Sequence, residues 1–146
     1  MDSKVMERVK KKLKEGWIRS SMMIEALGTT ERAARVGLEQ HVDKMKKEGG
    51  CIVFNINFSG VKEAKHPHPN VEKGYSNVVE LEVLTENFEK LVYVVMRYGP
   101  SSVEIHEPEN IRIDFGEAQS IVNSLAEMIH NFAAAGIGGI IINADQ

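Results

Sequence analysis

The sequence predicts an α+β domain, and three observations carry that expectation. Apolar residues keep a helical spacing up to about residue 48 and switch to a period of two at Cys51. Further on, strand-like alternation and amphipathic helical runs follow one another, bounded by Gly99-Pro100 and by the glycines at 136, 138 and 139. The chain has 146 residues, of which 42% are hydrophobic and 27% charged, enough to bury a core without a disulfide or a metal.

Taken in order, Ser3 can cap a first helix whose apolar positions Val5, Val9, Leu13 and Trp17 step by four along one side. Gly16 weakens that helix near its end. A second helical segment, Ile18 to Leu27, carries Ser20, Ser21, Met22 and Met23 and stops at Gly28. Thr29 or Thr30 then caps a third helix reaching about Glu48, with Ala34, Leu38, Val42 and Met45 on one stripe and Gly49-Gly50 as its end. Ile52, Phe54, Ile56 and Phe58 alternate with Val53, Asn55 and Asn57 and predict a strand. A polar, proline-bearing loop is expected from Ser59 to Ser76, followed by a half-exposed strand on Val79, Leu81 and Val83.

Thr85 is the expected cap of the next helix, which carries Phe88, Leu91, Val92, Val95 and Met96. Short strands are predicted at 103–105 and 111–113, joined across Glu107-Pro108-Glu109-Asn110. A last helix holds Ala118, Ile121, Val122, Leu125, Ile129 and Phe132, and a closing strand is expected over 137–143. From Asn77 onward this reads strand, helix, strand, strand, helix, strand, a ferredoxin-like (split βαβ) order. The strand from Cys51 would add an edge. Residues 1–50 form a helical N-terminal arm, and 51–146 an α+β ferredoxin-like core, in one compact unit.

Charge narrows the function classes. Residues 1–50 carry 12 Lys/Arg against 8 Asp/Glu, the rest 6 against 13, so a mildly basic third precedes an acidic remainder within a net charge of −3. Lysines on a helix are more often a solvated face than a phosphate track, and the net negative charge disfavours nucleic acid. Cys51 is the only cysteine, which excludes an internal disulfide and a cysteine-rich zinc site. No apolar run follows Lys4–Lys14 to make a signal peptide, and the 137–142 run is too short to cross a bilayer. A cytoplasmic protein without membrane contact is expected.

Histidines are the first candidates for chemistry. His66 and His68 flank Pro67 in the polar loop, with Glu63 and Glu72 near in sequence, and His106 stands at a strand end. Two histidines two apart, a third histidine and a carboxylate are donors that suit zinc or another borderline divalent metal. Prolines after both loop histidines favour the plainer reading of an extended surface loop. P-loop, G-x-S-x-G and dinucleotide-binding signatures are absent. Cys51, opening an apolar strand, reads as a buried structural thiol. Glu104, Glu107, Glu109 and Asp114 read as charges guarding a sheet edge against aggregation.

Residues 18–50, with Ala26-Leu27-Gly28-Thr29-Thr30, a long helix, Gly49-Gly50 and a strand, resemble the helix-turn-helix and wing of winged-helix regulators. The resemblance implies DNA contact through Thr30, Glu31, Arg32 and Arg35. Glu31, Glu39 and Asp43 on the same helix depart from that pattern. Residues 98–130, from Tyr98-Gly99-Pro100 through Val103 to Pro108 and a helix, resemble the C-terminal ligand-sensing domain of WYL-type regulators.

The leading functional expectation is a non-enzymatic, self-associating domain, a homo-oligomer with room for a small-molecule ligand and no cofactor. Trp17, Met22 and Met23 are its candidate interface residues, because methionine adapts to partners and tryptophan anchors them. The alternatives are a metal-dependent or acid–base enzyme on His66, His68 and His106, and a DNA-binding regulator through residues 18–50.

Overall fold

The computed structural model describes residues 2–68 and 71–136, with the backbone alone for 66–68, 71 and 72. The described residues form an α+β structure of four helices and a five-stranded antiparallel sheet. The chain divides into two compact units, Met1–Ile111 and Arg112–Gln146.

The first unit opens with α1 (Ser3–Lys14), whose start is capped by Asp2, one residue before the expected Ser3; its carboxylate accepts from Lys4 N at 3.1 Å. Residues 18–27 are not a helix. They form the strand β1 (Ile18–Gly28), because Ile18, Ser20, Met22 and Ile24 are buried and alternate with residues facing the other way. Serine and methionine hide that alternation, since neither is a marked strand former. The segment expected to be the first helix of a helix-turn-helix is therefore a strand. Residues 1–50 are therefore not a helical arm outside the sheet, because β1 sits between β4 and β5 within it.

Thr30 caps α2 (Glu31–Lys46), its hydroxyl accepting from Ala33 N at 3.0 Å. The predicted stripe Ala34, Leu38, Val42 and Met45 is fully buried. β2 (Cys51–Phe58) follows. Much of the expected loop is instead a hairpin of β3 (Lys62–His68) on the long β4 (Val71–Thr85), with Lys62 opposite Ser76 and Lys65 opposite Lys73. Both arms of that hairpin are polar, so no alternation betrays them in the sequence. Asn87, not Thr85, caps α3 (Phe88–Tyr98), accepting from Lys90 N at 2.8 Å. Thr85 is the buried last residue of β4. Gly99 ends α3 in the left-handed conformation at φ 60°, and β5 (Ser102–Glu107) completes the unit.

The sheet order is β2-β4-β1-β5, with β3 on β4. β1 and β2 thus flank β4, and β4 and β5 flank β1, so both crossovers, through α2 and through α3, are split. This frame starts at Ile18 rather than at Asn77. Residues 111–113, expected as a strand, take no strand conformation, and the closing strand over 137–143 lies outside the described residues. One face of the sheet carries the core: Met22, Ile24, Val79, Leu81 and Val83 against Leu38, Val42 and Met45 of α2 and Leu91 and Val94 of α3. A clamp joins the two helices: Tyr98 donates to Glu48 at 2.8 Å, and His41 Nε2 lies 2.8 Å from the Tyr98 carbonyl oxygen.

The second unit holds α4 (Phe115–Ala134), capped by Asp114, which accepts from Glu117 N at 2.8 Å. Its only buried residue is Ala133.

Candidate functional site

Two surfaces stand out, one on each unit. The first is the face of the sheet opposite the core. In β1, Arg19, Ser21, Met23 and Glu25 alternate with core residues and so point to this face. α1 covers one end of it, where Val9 packs on Phe54 and Leu84 with Leu13, Trp17 and Ile52 around them. Beside that patch Arg19 bridges two carboxylates, Nη1 to Glu82 at 2.5 Å and Nε to Glu107 at 2.9 Å. Asn55 also donates to Glu82, from a left-handed backbone at φ 51° beside the irregularity between Phe54 and Asn57. Burial pulls the Arg19 pKa down, but the hydrogen bonds to Glu107 and Glu82 outweigh it and hold the pKa above its ordinary value.

Further along the same face His106 Nε2 and Ser21 Oγ share a hydrogen bond at 2.8 Å. An open groove of about 420 Å³ begins there, lined by Ser21, Met22, Met23, Glu80, Ser102, Val103 and Glu104. Its two carboxylates and two hydroxyls stand beside two methionines and Val103, a lining that joins hydrogen-bond acceptors to an apolar strip.

The second surface is the apolar side of α4. Phe115 is 85% exposed, Val122 60%, Ile129 46%, and Leu125 and Phe132 42% each. In a helix of 20 residues these positions are spaced by seven, three, four and three, and they share one side.

The sequence-predicted metal ligands do not come together. His68 pairs with Val71 and Ser21 with Glu82, so the loop histidines and the His106 end of the sheet lie eleven residues apart along β4. At about 3.3 Å per residue that is roughly 36 Å, far beyond one coordination sphere. Among the described residues no group of three His, Cys, Asp or Glu could hold a metal ion. Met22 is buried with its side chain in the core, whereas Met23 is exposed; both border the groove. Trp17 is half-buried, packed within its own chain under the Lys12 ammonium, 4.5 Å from the ring centre. Arg19, Ser21 and Glu82 escape the sequence reading because β1 is read there as a helix; period-two alternation across 18–26 is the signal that finds them.

Among the described residues no helix is long and apolar enough to cross a membrane. No curated protein matches the chain at a significant level. The model of the MJ0538 family matches residues 19–142, from the second residue of β1 past the end of α4, and the chain therefore belongs to the MJ0538 family.

Proposed function

We propose that this chain is a non-enzymatic domain that works by associating with copies of itself. The observation that carries the reading is the uncovered apolar side of α4, five large side chains between 42% and 85% exposed on one helix. Single exposed apolar residues are ordinary, but a contiguous row of them marks a surface built to be covered. β5, which also exposes apolar side chains, is a guarded edge. Val103 and Ile105 alternate there with Glu104, and the register with β1 is irregular between Arg19 and Ser20. Association therefore belongs to the helix and not to the sheet edge. A cytoplasmic setting is part of the same proposal, supported by a lone cysteine that stays a free, buried thiol.

The test is the mass of the purified chain by light scattering across a range of concentrations. A dimer or higher species is expected. A constant 16.3 kDa particle at micromolar to hundred-micromolar concentration would overturn the proposal.

A further inference from the structure

We infer that between associated copies the basic side of α1 of one copy lies on the acidic open face of the other copy's sheet. This contact rests on the self-association proposed above, because exposed ion pairs are too weak to hold free copies together and add to an association already made. Its evidence is charge, and it is independent of the α4 row. α1 carries six Lys/Arg and one Glu. Val5, Val9 and Leu13 turn toward the sheet, so Lys4, Arg8 and Lys11, a stripe at i, i+4 and i+7, stand on the outer side. All three are exposed, and among the described residues the helix uses only Lys12 in an ion pair, with Glu15 at 3.6 Å.

The sheet beside it has the opposite sign. Glu82, Ser21 and Glu104 stand in one row across β4, β1 and β5, Glu80, Met23 and Ser102 in the next, and Glu25 follows on β1. Glu82 and Glu107 hold Arg19, whereas Glu25, Glu80 and Glu104 are exposed and form no ion pair with a described residue. From Arg19 to Glu25 this patch runs about 20 Å, and a helix of 12 residues is about 18 Å long. A two-fold pair presents the same surface from both copies, so a patch and its counter-patch must share one face. Here they do, because α1 covers one end of the face that carries the carboxylates. The second unit supplies no such counter-charge. Residues 112–146 hold Arg112 against Asp114, Glu117, Glu127 and Asp145, and neither 69–70 nor 137–146 contains a Lys or Arg.

Reversing one sign at a time tests the contact in trans. Lys4→Glu/Arg8→Glu sets acid against acid in both halves of a pair, and Glu80→Lys/Glu104→Lys sets base against base. In a mixed pair of the two variants every contact again joins opposite signs. Each variant alone is expected to associate about tenfold more weakly than the wild-type chain at about 50 mM salt, read by light scattering across concentration. An equimolar mixture is expected to recover the wild-type affinity. The wild-type chain itself, which needs no variant to fold, is expected to associate about tenfold more weakly at about 500 mM salt. Variants that associate as the wild-type chain does, weak variants that stay weak when mixed, or a wild-type affinity that salt does not weaken each overturn the inference and leave self-association standing. A wild-type monomer overturns both.

Discussion

At the scale of single residues, Cys51 shows how position sets chemistry. The first residue of β2 is 6% exposed, and burial pushes its thiol from an ordinary 9.0 up to about 11, with Glu48 adding to the shift and Lys90 opposing it. The folded chain therefore keeps this proton in a range where the unfolded chain gives it up. The stability that comes with it is fully present below pH 9 and is lost as the pH rises through 11. Between those values the wild-type chain is expected to lose about 2 kcal/mol more than a Cys51→Ala variant, each relative to its own stability at pH 8. Urea melts at pH 8 and pH 10.5 measure it, and parallel losses in the two chains would refute the assignment. Other buried polar groups are less well served: Ser20 Oγ, Thr85 Oγ1 and Asn77 Oδ1 are buried with no hydrogen-bond partner among the described residues. Arg19 is the opposite case, a charge held between two carboxylates on a face where α1 stops short.

At the scale of elements, the junction of β1 with α2 depends on Gly28. A Cβ there would come within 2.7 Å of Ala34 N, and backbone cannot step aside as a flexible side chain can. Gly28→Ala is expected to destabilise the fold by about 1–3 kcal/mol. Gly37→Ala, in the exposed middle of α2 with nothing within 4 Å, is expected to gain about 0.5–1 kcal/mol. Urea midpoints moving the same way in both variants would contradict this reading of the junction. The sequence makes α2, α3 and α4 legible, because their apolar stripes repeat at 3.6 and Thr30 and Gly99 mark two of their ends, whereas the caps Asn87 and Asp114 are not read there as caps. β2, β5 and the end of β4 are legible from their alternation. β1 is not, because Ser20 occupies a core position and Met22 and Met23 stand side by side on opposite faces. That one misreading displaces the frame of the whole sheet and conceals the Arg19 and Ser21 face. β3 and the first half of β4 are hidden for another reason, as hairpin arms with two polar faces leave no pattern to follow. The apolar row of α4 is visible in the sequence, but only the structure shows it uncovered, since a buried stripe and an exposed one are spelled alike.

At the scale of the whole molecule, the chain assigns different tasks to its two units. Met1–Ile111 buries its own core between one sheet face and two helices, whereas α4 in Arg112–Gln146 carries a row of exposed apolar side chains. If copies meet along that side, assembly contributes to stability, and the contribution obeys mass action. Each tenfold rise in concentration then adds about 1.4 kcal/mol per dimer to the folded, associated state. For two chains of this length melting together, that corresponds to a rise in Tm of about 2–4 °C per decade. Leu125→Glu places a carboxylate in the middle of that apolar row, where an associated copy would bury it unpaired. Calorimetry over a hundredfold range of concentration is expected to show a climbing Tm for the wild-type chain and a flat, lower one for Leu125→Glu. A flat wild-type Tm would mean that folding does not draw on assembly. Two parallel rising curves would mean that copies associate on a surface other than α4.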